Sequence, residues 1–187
     1  SYTQVSAYHS NTAAIRTDGG LLVWGINSSG QLGQSDTVQR SSPVQIGTSS
    51  WTQVSVGSAH MLALRTDSGM FAWGANTNGR LGDNSTVTRS SPVQIGTSTW
   101  SQISVGVSYS LGITTDNSLY AWGLNNTGQL GDNSTTNRSS PVQVNTNTVT
   151  SWTSISAGGS HTVGLDTNSI PYAWGLNTSG QLGDNSL

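Results

Sequence analysis

Three kinds of stretch in this 187-residue sequence carry residues whose types and spacing could do chemistry. The first is AWGLNNTGQLGDNS at 121–134, where three glycines within nine residues follow a strand-like approach. That composition could wrap backbone amides around a phosphate, but such a loop also needs a helix to follow it and commonly a Lys with a Ser or Thr. The sequence has no Lys, and no helical period follows. The second is the Asp-Asn-Ser run at Asp83–Ser85, Asp132–Ser134 and Asp184–Ser186, whose oxygens could face calcium. Calcium takes about 6 to 8 oxygens, usually with several carboxylates, and each run supplies a single one. The third is the pair His60 and His161, which share a repeat column with Asn11 and Tyr109, while His9 lies outside it. A metal ligand or general base needs converging partners. A hydrogen bond anchoring an inner strand is something His, Asn and Tyr can all supply. The residues therefore predict no catalytic residue, no cofactor and no metal.

The phosphate question changes once the stretch is found four times, because a repeated fragment has to be explained as architecture first. The copies are VWGINSSGQLGQSD, AWGANTNGRLGDNS, AWGLNNTGQLGDNS and AWGLNTSGQLGDNS, with Trp-Gly pairs at Trp24, Trp73, Trp122 and Trp174. The spacing is 49, 49 and 52 residues, and the three extra residues fall in NTNTVTS at 145–151, which reads as a surface loop. Gly33, Gly82, Gly131 and Gly183 then occupy turn positions, with Leu130 tucked inward behind its turn. Asp18, Asp67 and Asp116, with Asn168 in the fourth place, read as hairpin turns six residues before each Trp-Gly pair.

The elements that must hold these turns are strands. Within one unit, WTQVSVG and HMLALRTD alternate in period two, and MFAWG and PVQI add two more short strands. Val54 aligns with Val5, Ile103 and Ile155, and Leu64 with Ile15, Ile113 and Leu165. Four short strands per repeat of about 49 residues describe an all-β chain of β-propeller blades, each of four antiparallel strands. The units run 2–50, 51–99, 100–151 and an incomplete 152–187, giving three full units and a partial fourth. All seven tryptophans fall into two columns: Trp24, Trp73, Trp122 and Trp174, and Trp51, Trp100 and Trp152, where Tyr2 takes the first place. Rings at fixed places suit the wedge between neighbouring blades better than an exposed stacking platform. Arg40, Arg89 and Arg138 form a further column, suited either to backbone contacts or to a partner.

Composition narrows the function classes. Only 7% of residues are charged, every acid is Asp, every base is Arg, and the formal net charge is −2. Nothing here attracts nucleic acid or an anionic membrane, and no apolar run reaches the length of a membrane span. The absence of cysteine removes disulfides and thiolate chemistry together. A chain opening on Ser1 is expected to be processed, trimmed or partial.

The ordered series Gly-x-x-His-Ser/Thr, Asp turn, Tyr-Ala-Trp-Gly, Asn and Gly-Gln-Leu-Gly is legible in GGSHTVGLDTNSIPYAWGLNTSGQLG, residues 158–183, and with variations in the other copies. It resembles the regulator-of-chromosome-condensation repeat family across essentially the whole chain. The resemblance implies a β-propeller, usually of seven blades. The fourth unit departs from the pattern: the RSSPVQ strand at 40–45, 89–94 and 138–143 has no counterpart in it. The array is therefore expected to be continued by further repeats, from a longer chain or from identical copies. Its low charge and Asn/Thr-rich turns resemble bacterial and phage-encoded members of the family. The expected role is a non-enzymatic structural or binding module on an extracellular surface or virion. Its rim would offer Asp83, Asn84, Asp132, Asn133, Asp184 and Asn185 to a protein or glycan, without nucleic-acid binding or membrane insertion. The alternative is a regulatory propeller acting on a small GTPase or chromatin, by analogy with the family.

Overall fold

The computed structural model describes residues 1–144 and 149–186. Every regular element among them is a strand. The first sheet comprises β1 (Tyr2–Tyr8), β2 (Asn11–Arg16), β3 (Leu21–Gly25) and β4 (Arg40–Gln45). The second comprises β5 (Trp51–Val56), β6 (His60–Arg65), β7 (Met70–Gly74) and β8 (Arg89–Gln94). The third comprises β9 (Trp100–Val105), β10 (Tyr109–Thr114), β11 (Leu119–Gly123) and β12 (Arg138–Gln143). The fourth holds β13 (Trp152–Ala157), β14 (His161–Asp166) and β15 (Pro171–Gly175) among the described residues. In each sheet, strands adjacent in sequence are adjacent in space and antiparallel. These are the propeller blades that the alternation predicts, and β1, β5, β9 and β13 lie against one another from blade to blade.

The position of the core explains why the second strand of a blade is apolar on both faces. In β6, Met61 and Ala63 belong to a cluster with Ile15, Val23 and Ile46 of the first blade. Leu62 and Leu64 belong to the next cluster, with Trp100, Ile103 and Val105 of the third blade. Alternate side chains leave opposite faces of a strand, so each blade feeds two cores and each core lies between two blades. In the first blade the same column is open: Val5 is 72% exposed, whereas Val54, Ile103 and Ile155 are buried.

The tryptophan columns fill these junctions. Trp51, Trp100 and Trp152 are buried and meet Trp73, Trp122 and Trp174 of their own blades at centroid separations of 6.2, 5.9 and 5.7 Å. Trp24 and Trp174 are half-buried. A register shift in the first hairpin of each blade, between Trp51 and Gln53 in the second, sets the aromatic column off from the strand that follows.

A polar clasp joins the inner strands. The Gln4 carboxamide accepts from Val54 N at 2.8 Å and donates to Val54 O at 3.1 Å, and Ser6 Oγ accepts from Val56 N. Gln53 with Ser55 repeats the acceptor half of this on Ile103 and Val105, and Gln102 with Ser104 repeats it on Ile155 and Ala157.

The hairpins at Asp18, Asp67 and Asp116 are closed by the aspartate oxygen accepting from Gly20 N, Gly69 N and Ser118 N. In the fourth unit the acceptor is not Asn168 but Asp166, which takes Asn168 N and Ile170 N. A single oxygen, Asp166 Oδ1, takes both amides. The loop expected at 145–151 lies largely outside the described residues.

Candidate functional site: the repeated rim turn

The turn after each Trp-Gly pair is built around one asparagine, Asn27, Asn76, Asn125 or Asn177. The first three are fully buried. In the second unit Asn76 Oδ1 accepts from Leu81 N at 3.0 Å. Its Nδ2 donates to Asp83 Oδ1 at 2.9 Å and to the carbonyls of Ser85 and Val87 at 3.0 and 3.1 Å. A side-chain amide with two donors and one acceptor can thus replace the missing strand ladder of a whole loop. The bonds recur at Asn125 and, in part, at Asn177. The motif supplied the asparagine without a role.

Asp83 and Asp132 complete the hub. Each accepts from the serine two residues on and from an arginine, with Arg89–Asp83 at 2.8 Å and Arg138–Asp132 at 2.7 Å. Burial raises these carboxyls, but hydrogen bonds from Ser, Arg and Asn outweigh it and leave both below the ordinary value. The arginine column, open between backbone and partner contacts in the sequence, therefore pairs with aspartate. The first unit, with Gln34 in the aspartate position, solves the same problem with Asp36. That residue takes Asn27 Nδ2 at 2.8 Å and Arg40 at 2.6 Å.

The predicted tips are accordingly divided by the structure. Their exposure lies at the asparagine and not at the aspartate: the side chains of Asp83 and Asp132 are 4% and 6% exposed. Asn84 and Asn133 are exposed, as are Asp184 and Asn185 in the fourth unit. The reason is the hub, which draws the carboxylate inward and pushes the next residue into the left-handed region. There Ser35, Asn84, Asn133 and Asn185 have φ of 63°, 59°, 58° and 63°. Among the described residues Asp184 has no arginine partner and bonds instead to Asn177 and Ser186.

The turn also latches onto the following blade. Ser35 N donates to Ser90 O at 2.7 Å and Asn84 N to Ser139 O at 2.8 Å. A Cβ on Gly82 would stand 2.7 Å from the Trp122 indole, and Gly33 and Gly131 face Trp73 and Trp174 in the same way. Gly183 meets nothing within 4 Å.

The histidine column serves the junctions too. Ser110 Oγ donates to Arg80 O at 2.8 Å, so its contact with His60 Nε2 at 2.9 Å requires the imidazole to donate. His60 is therefore the Nε2–H tautomer, and Nδ1 meets no partner. Burial, aided by the Arg80 charge, lowers its pKa from 6.5 to about 3. Tyr109 donates across the next junction to the His161 carbonyl. Burial pushes its phenol up to about 12. Among the described residues no three His or Asp side chains come together to hold a metal ion. No helix there is long and apolar enough to cross a membrane. The rim turn can present amides, hydroxyls and carboxamides in fixed directions.

A profile of the regulator of chromosome condensation (RCC1) repeat matches residues 18–64, 67–113 and 116–165, and a second profile of this repeat matches 2–31, 51–80, 100–129 and 152–181. Stretches of the first kind start at the hairpin aspartates and cross into the next blade, so each contains both sides of one core. Comparison with curated proteins finds no match. Among solved structures, human WBSCR16 is 22% identical with a TM-score of 0.89, over 100% of this chain and 50% of that one. Prp20p from Saccharomyces cerevisiae, described with its binding properties to Gsp1p and histones, is 22% identical with a TM-score of 0.85, over 100% and 48%. The C-terminal domain of gp131 from bacteriophage phiKZ is 13% identical with a TM-score of 0.53, over 97% and 53%. At these identities the likeness shows the fold alone. The chain spans about half the length of the proteins it resembles.

Proposed function

The chain belongs to the regulator of chromosome condensation (RCC1) repeat family, and on that premise we propose that it works as a non-enzymatic binding module. Its rim turns offer polar groups to a protein or glycan on an extracellular surface or virion, within an array continued by further repeats. The observation that supports this reading is the rim asparagine. Asn84, Asn133 and Asn185 sit exposed at one repeat position, each held at positive φ by a turn whose other polar groups are internally bonded. A rigid scaffold with spaced, equivalent polar tips gains through simultaneous weak contacts. The catalytic alternatives have less support, because the buried polar groups are spent on the junctions between blades.

The test replaces the three asparagines by glycine, which accepts the backbone conformation, and measures retention on immobilised cell-envelope and glycan surfaces. Retention of the natural sequence with at least a tenfold loss in the triple variant is expected. Equal retention of both proteins would sink the reading. The second reading, a regulatory propeller for a small GTPase or chromatin, draws on the described binding of Prp20p to Gsp1p and histones. A nucleotide-release assay with a small GTPase separates it, since the rim reading expects no acceleration.

A further inference from the structure

The blade junctions carry a feature that the rim turns do not explain. A groove with a volume of about 460 Å³ lies between the second and third blades, and one of about 320 Å³ between the first and second. The first is lined by Trp100, Tyr120, Ser140 and Pro141 of the third blade and by Asn84 and Gln94 of the second. The second has Trp51, Phe71 and Pro92, with Ser35 and Ser91, at positions 49 residues earlier. The rings form an edge-to-face pair in each, with centroids 5.7 Å apart for Trp100–Tyr120 and 5.4 Å for Trp51–Phe71.

We infer that these grooves are saccharide sites, each taking one neutral glycosyl unit through its aromatic wall and its hydroxyl and carboxamide edge. This rests on the reading of the rim as a binding face and names the ligand class. Three observations carry it. An apolar wall, open at the half-buried Tyr120 or Phe71 ring and the proline rather than at the buried tryptophans, beside neutral hydrogen-bonding groups matches a pyranose, which has apolar C–H faces and hydroxyl edges. The charged residues of the larger groove, Asp83 and Arg89, are paired with each other, so the groove offers no net charge for an anionic or cationic ligand. Finally, Trp100 and Trp51, which line the two grooves, each have a buried indole N–H without a hydrogen-bond partner. Both volumes fall in the range of small-ligand sites.

The two grooves are unequal in a way that makes the inference testable. The larger has a phenol and a carboxamide where the smaller has Phe71 and Ser35. The experiment titrates the isotope-labelled protein with neutral mono- and disaccharides, including glucose, galactose, N-acetylglucosamine and their β-linked dimers, and follows amide and indole N–H resonances. Millimolar binding at the larger groove is expected, with shifts at the Trp100 indole and the Ser140 amide. The Tyr120→Phe/Ser140→Ala variant removes two hydroxyls without changing the packed rings, and should bind at least tenfold more weakly. The Ser35→Asn/Phe71→Tyr variant should strengthen the smaller groove by a similar factor. The inference is overturned by the absence of shifts at groove residues up to about 100 mM sugar, or by shifts that neither variant alters, which would mark a packing crease. Free sugar in solution makes this independent of surface retention. If the asparagine variants lose retention while no sugar perturbs a groove, this inference fails and the rim reading stands.

Discussion

At the scale of single residues, the buried asparagine and histidine are the groups whose loss the turns cannot absorb. Asn125→Ala leaves the Leu130 amide and the Ser134 and Thr136 carbonyls without their partner. It should cost about 3 kcal/mol, measured by denaturant unfolding, because buried groups left unmet lose about 1–3 kcal/mol each with partial relaxation. An unchanged midpoint would refute the hub. For His60, the folded pKa of about 3 lies below the ordinary 6.5. The unfolded chain then binds a proton that the folded chain refuses between these values. Its contribution is fully present above pH 6.5 and falls as pH drops toward 3, with a slope of about 1.4 kcal/mol per pH unit. His60→Gln should flatten unfolding stability across that window; an equal slope in the variant would assign it elsewhere. Some of these roles were legible in the sequence and others were not. Gly82 and Leu130 announce a turn and an anchor, since their types have few other uses there. The substitution of Asp36 for the aspartate of the other units was hidden, because its carboxylate reaches Asn27 from a position two residues displaced. The inward turn of Asp83 was hidden likewise, as it depends on an asparagine seven residues away.

At the scale of elements, the alternation of strands such as β5 and the short apolar runs of β6, buried on both faces, were enough to assign four strands per full unit. The clasp was not legible. Gln53 and Ser55 look like solvent-facing residues of a half-buried strand, and their acceptor role is defined by backbone amides of the next blade, 50 residues on. The clasp predicts a local effect of a particular kind. Gln102→Ala should raise exchange at the Ile155 amide, whose partner is the carboxamide at 2.7 Å, while leaving amides inside the second blade protected. Uniform acceleration across all blades would mean that the clasp is not a separable junction. The Trp-Gly pair sets the opposite limit. A Cβ at Gly74 would approach the Ala59 carbonyl to 2.4 Å at a φ of 105°, so this strand end tolerates no side chain.

For the molecule as a whole, the shared cores mean that no blade is complete in itself. Under tension applied at the two ends, an end blade can release only by opening the junction with its neighbour, after which that neighbour has lost one of its own two cores. Extension should then proceed from the ends inward in steps of one repeat. Each full unit would free 49 or 52 residues, a contour increment of roughly 16–19 nm at 3.3–3.6 Å per residue. Single-molecule force spectroscopy would show evenly spaced events of that size; one rupture of the whole length would mean that the junctions act together. Because each core is owned by two neighbours, blades can be added to or taken from such a chain without a new fold only as whole units, even where one unit is three residues longer than the others.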